Sequence, residues 1–141
     1  ISNAKAFARF LKEKGLMVEG DPKVGYTETH QVIVRVGYGK GPMMAERLEE
    51  NNVIVNYQSA PDDEAFTTAS CLRMGVQEMT RFGMREDAFA QLAEYMSQMI
   101  LHDRSVAKEI SQFRRTFTEM KYCLPEAEAQ PMAERLLEAV K

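Results

Sequence analysis

Phe89, Leu92, Met96, Met99 and Ile100 recur at three- and four-residue steps. This apolar stripe is the signature of one helix face, and such a face must be buried against another element. The chain offers partners of the other period. In residues 31–36, Val32, Val34 and Val36 share one strand face, with Ile33 and Arg35 on the other. In residues 71–74, Cys71 and Arg73 point one way, Leu72 and Met74 the other. A helical stripe laid over alternating strands predicts an α+β layer structure, with a small, mostly antiparallel sheet and helices packed on one face.

The remaining elements fit this frame. Ser2 is a candidate cap for a first helix carrying Phe7, Phe10 and Leu11, stopped by Gly15. Residues 16–18 read as a short strand, and residues 19–28, with Gly20, Pro22 and Gly25, as a loop. Pro42 suits the first turn of a helix bearing Met44 and Leu48, which Asn51 and Asn52 end. Residues 53–57 read as a strand, followed by a polar loop to about Thr68. After the long helix, further helices are expected over 105–120 and 126–140, separated by Pro125.

Composition narrows the function classes. The 141 residues suit one domain, and 45% hydrophobic residues supply enough apolar surface for one core. A net charge of −3 lacks the basic stripe that nucleic acid requires. No apolar run reaches the ~20 residues that span a bilayer, so no membrane partner is expected. Cys71 and Cys123 form no CxxC pair, and His30 and His102 stand apart from both, which argues against a disulfide framework or a metal site. A reducing cytoplasm is the expected compartment.

Several residues invite a chemical reading. Gly37, Gly39 and Gly41 flank Lys40 before a helix, yet they match neither GxGxxG nor a Walker pattern, and a turn needing positive φ explains them. His30 opens a strand without a histidine or cysteine neighbour, so a structural, hydrogen-bonded role is the simpler reading. Asp62, Asp63 and Glu64 could perform acid–base work only if burial separated their pKa values, and a solvated loop is the default. Arg73 stands out, because it sits mid-strand between apolar neighbours. Its planar fork matches a carboxylate, either of a protein Asp or Glu paired with an edge arginine or of a substrate. Arg81 raises the same question more weakly. No nucleophile–base constellation occurs.

Four segments resemble, in order, the small domain of serine hydroxymethyltransferases. NAKAFARFLKEKG (3–15) is similar to the family's NAKALAxxLxxxG helix. YTETHQVIVRV (26–36) resembles GTDNHLVLVDL, with Thr27 and His30 in matching places. GPMMAERLEENNVIVNYQSAP (41–61) is similar to the helix–strand run ending in VNKNxxP, and CLRMGVQEMTRFGM (71–84) resembles SGIRLGTPAxTTRGF.

The resemblance implies the C-terminal domain of a fold-type I pyridoxal-phosphate enzyme over residues 1–103, with a helical extension over 104–141. It implies that Arg73 binds the α-carboxylate of a serine or glycine substrate. Pyridoxal phosphate would serve as electron sink, and tetrahydrofolate would accept the one-carbon unit. Gln58 falls where the family has an asparagine that contacts the pterin, making it a candidate folate contact. This departure leaves open a sibling activity, cleavage of a β-hydroxy amino acid or an aldol-type transfer. The family's Schiff-base lysine belongs to a large domain, and no lysine from Lys5 to Lys141 has its context. The expected partners are that large domain and a second subunit of a homodimer, with this chain alone inactive. A free-standing α+β interaction module is the rival reading.

Overall fold

The computed structural model describes every residue except Phe66, Cys123 and Lys141. Among the described residues the strands form one four-stranded sheet in the order β1-β2-β4-β3, antiparallel throughout. The strands are β1 (Met17–Val18), β2 (Gln31–Arg35), β3 (Asn56–Gln58) and β4 (Cys71–Gly75). The helices are α1 (Ser2–Glu13), α2 (Gly41–Glu50), α3 (Gln77–Arg81), α4 (Glu86–His102), α5 (Ala107–Arg114) and α6 (Glu126–Ala139). A short 3-10 turn, Pro22–Val24, lies within the predicted 19–28 loop.

The alternation read from the sequence sets the two faces of the sheet. Val18, Val32, Val34, Leu72 and Met74 are buried under the helices. Gln31, Ile33, Arg35, Arg73 and Gly75 alternate with them on the other side. The α4 stripe is buried at Phe89, Met96 and Met99, and α1 meets it with Phe7 and Leu11. The Phe7 and Phe89 rings lie 5.3 Å apart, tilted by 51°, in the favourable range for aromatic pairs. The fold class expected from the sequence is the one observed.

Three local expectations differ, and one short helix is additional. Ser2 lies inside α1; Ile1 holds the cap position, with no side-chain cap. The third strand is Asn56–Gln58 instead of residues 53–57. The Val53 N–H already donates to the Leu48 carbonyl in the turn that ends α2, and Asn52 sits there at φ 64°. The chain must leave that turn before it can join the ladder. The α3 helix, five residues long, was too brief to show a periodic stripe. The helix expected over 105–120 stops at Arg114. Beyond it the Thr116 and Phe117 N–H groups donate to the Phe113 and Arg114 carbonyls, and Phe117 stacks edge-on to Phe113 at 5.2 Å.

Val106 and Ile110 place α5 in the same core as α1 and α4. The buried Asn51 carboxamide oxygen accepts from the Ser105 hydroxyl at 2.8 Å and the Val106 N–H at 2.9 Å. α6 buries none of its residues and begins after Pro125, as expected. No described helix is long and apolar enough to cross a membrane.

Candidate functional site

The open face of the sheet is organised in rows, because residues opposed across antiparallel strands share a face. One row runs Ile33, Arg73, Asn56, and the next runs Arg35, Cys71, Gln58. Arg73 and Gln58, the two candidate site residues, therefore share a face as diagonal neighbours, with Cα atoms roughly 7–8 Å apart.

Arg73 stands on an interior strand, not an edge, and its side chain is exposed. It makes no ion pair or hydrogen bond with another described residue. No described residue supplies the protein carboxylate that would be the simplest partner for such an arginine. Gln58 is half-buried at the end of β3.

A cavity of about 570 Å³ opens beside Arg73. It lies where the β3–β4 pairing ends at Asn56 and Arg73. Its polar lining includes Arg73, His30, Asn56 and the carboxylate residue Glu78, and its apolar lining includes Met74 and Phe89 from the helix-covered side. His30 is exposed at this cavity, and its carbonyl accepts from the Val76 N–H at 3.0 Å. The structural hydrogen bond expected of its imidazole is not formed with any described residue.

The other candidates have structural explanations. Gly37 and Gly39 adopt φ of 110° and 65°, as a left-handed turn requires. Gly41 is needed for close approach: a Cβ there would meet the Ala69 carbonyl oxygen at 2.7 Å. The Asp63 carboxylate accepts from the Ala60 N–H at 2.7 Å, the Ser70 N–H at 3.1 Å and the Ser70 hydroxyl at 2.6 Å. The Ser70 hydroxyl in particular holds its pKa below the usual carboxylate range. Glu64 is an exposed loop residue. Arg81 packs over the Tyr122 ring at 5.6 Å and contacts the Met120 sulfur. Cys71 is fully buried, and burial pushes its thiol up, away from thiolate chemistry. Cys123 lies outside the described residues.

Arg35 is the residue that the sequence reading missed. Its Nε donates to Glu19 Oε1 at 2.6 Å, and its two terminal nitrogens donate to Asp62 at 2.7 and 3.1 Å. The bidentate hydrogen bond to Asp62, then that to Glu19, raises the arginine's pKa, and the same arginine lowers that of Asp62. Only alternation flags Arg35 in the sequence, since its carboxylates lie 16 and 27 residues away. The open face thus carries two guanidinium groups, one filled by protein carboxylates and one not.

Residues 1–96 match the family model for serine hydroxymethyltransferase. The serine hydroxymethyltransferase of Pyrobaculum aerophilum is 42% identical over 125 residues, covering 86% of this chain and 29% of that protein. That of Staphylothermus marinus is 42% identical over 128 residues, with the same coverage of both. Among solved structures, L-threonine transaldolase from Pseudomonas fluorescens in its internal aldimine state superposes with a TM-score of 0.77 at 30% identity, covering 95% of this chain and 32% of that one. The chain spans 29% of the length of these curated relatives. It belongs to the serine hydroxymethyltransferase family.

Proposed function

We propose that this chain is the C-terminal domain of a longer pyridoxal-phosphate enzyme that converts serine to glycine, and that Arg73 binds the substrate's α-carboxylate. The observation that carries this reading is an exposed arginine on an interior strand, beside a cavity, with no described protein partner. A guanidinium fork can hold both carboxylate oxygens, and so fix the orientation of the bonds at the substrate's Cα. Rigid strands on both sides, β2 and β3, keep the Arg73 backbone in place. Residues 1–103 form the domain proper in this reading. Residues 104–141 are its extension, anchored through Val106 and Ile110.

The described residues do not by themselves fit pyridoxal phosphate. No described lysine lines the cavity beside Arg73. Lys14 is engaged by Glu94 at 2.5 Å, and the Lys40 stem covers Gly37. The cofactor and its lysine are therefore assigned to the large domain of the same chain, and the isolated 141-residue chain is expected to be inactive. A homodimer in a reducing cytoplasm, where a buried free thiol such as Cys71 persists, completes the proposal.

A second reading, aldol-type transfer or cleavage of a β-hydroxy amino acid, is favoured by Gln58 in the pterin-contact position and by the transaldolase likeness. Full-length enzyme should be assayed for serine consumption with and without tetrahydrofolate. Consumption only with tetrahydrofolate supports the hydroxymethyltransferase. Folate-independent turnover of threonine supports the second reading. In either case Arg73→Ala should raise the amino acid's KM and lower kcat/KM; unchanged constants would remove the role assigned to Arg73.

A further inference from the structure

Two arginines project from the same sheet face, and they differ in one respect. Arg73 has its fork open, whereas Arg35 has its fork closed on Asp62 by two hydrogen bonds, with Glu19 on its Nε. Ile33 opposes Arg73 in the β2–β4 ladder, so Arg35 is its diagonal neighbour, with Cα atoms roughly 7–8 Å apart. Without Asp62, the two terminal nitrogens of Arg35 would be open to a second carboxylate on the same face, with Glu19 still on the Nε. With Asp62 and Glu19 both bound to Arg35, that group carries one negative charge in excess. Arg73 stays cationic beside it.

We propose that Asp62 is a specificity-determining residue: by occupying the Arg35 fork it masks a second carboxylate site and confines the substrates to monocarboxylate amino acids. The inference rests on the assignment of Arg73 as the α-carboxylate receptor and adds to it the rejection of acidic side chains. Two effects act in the same direction. The fork that would welcome a second carboxylate is already filled, and the excess negative charge repels one. Asp62 comes from the loop after β3, and its side chain is 70% exposed. The mask is thus held mainly by Arg35 itself, and replacing Asp62 removes no core contact.

The test uses the full-length enzyme, with glycine, L-aspartate and L-glutamate as competitors of serine. In Asp62→Asn and Asp62→Ala, at least one acidic amino acid should gain affinity relative to glycine by on the order of tenfold, the scale of losing one like-charge neighbour. Adding Arg35→Met to Asp62→Asn should abolish the gain. Unchanged affinity ratios in both single variants would overturn the proposal, as would a gain that survives Arg35→Met. Arg73→Ala separates the two assignments. If it weakens glycine while the Asp62 variants leave the ratios alone, only the masking inference fails. If glycine binds Arg73→Ala as well as wild type, the site assignment itself fails.

Discussion

At the scale of single residues, the carboxylates of the β3–β4 loop are set by hydrogen bonds rather than by burial. Asp63 ties Ala60 to Ser70 and so closes the loop. Hydrogen bonds from Arg35 to Asp62 and from Ser70 to Asp63 hold both folded pKa values below the usual carboxylate range. A carboxylate whose pKa is depressed by folding contributes stability that is fully present above its unfolded value. That stability is lost as pH falls through the folded value. The melting temperature of this chain should therefore hold from neutrality to about pH 4 with respect to these groups, and decline below it. Asp63→Asn should flatten part of that acid decline, as thermal melts between pH 2.5 and 6 would reveal. An identical acid slope in the variant would contradict the role given to Asp63.

At the scale of elements, α2 must enter close beneath the segment leading into β4. The Gly41 N–H donates to the Ala69 carbonyl at 2.8 Å, and an added Cβ would meet that oxygen at 2.7 Å and the Cys71 oxygen at 3.1 Å. Both obstacles are backbone, so Gly41→Ala should destabilise the chain by roughly 1–3 kcal/mol. Urea titration followed by circular dichroism measures this, and a stability within 0.5 kcal/mol of wild type would refute the close approach.

The elements also divide by how much the sequence discloses. β2, β4 and α4 are legible because burial on one face imposes a period, and that period places Arg73 on the open side. The start of β3 is illegible, since Val53 has strand chemistry but spends its N–H on the α2 turn. The premature end of α5 depends on Phe113 and Phe117 packing together, which no local propensity encodes. The Arg35 clamp is hidden for a related reason: its partners converge only after the sheet has formed. The place of Arg73 in the strand pattern marks it in the sequence. That no described residue partners it is a property of the assembled face.

At the scale of the molecule, one core joins the sheet, α1, α4 and α5, and Asn51 fastens the last of these. Its carboxamide accepts from Ser105 and Val106 and donates to the Arg47 carbonyl at 2.9 Å. Asn51→Ala would strand the buried Val106 N–H, at a cost of about 1–3 kcal/mol. Hydrogen exchange should then show α5 opening more readily than α1 or α4; equal protection of all three would count against this anchoring. α6, with no buried residue, contributes little to the same core.

In the function proposed above, Arg73 on the open sheet face is what joins this fold to catalysis, and one comparison tests that proposal directly. Serine and ethanolamine differ by the carboxylate alone, so their affinities for full-length enzyme isolate what Arg73 recognises. Wild type should bind serine far more tightly than ethanolamine. Arg73→Ala should lose about tenfold or more for serine while leaving ethanolamine nearly unchanged. Equal losses for both ligands, or none for serine, would contradict the assignment of Arg73 as the carboxylate receptor.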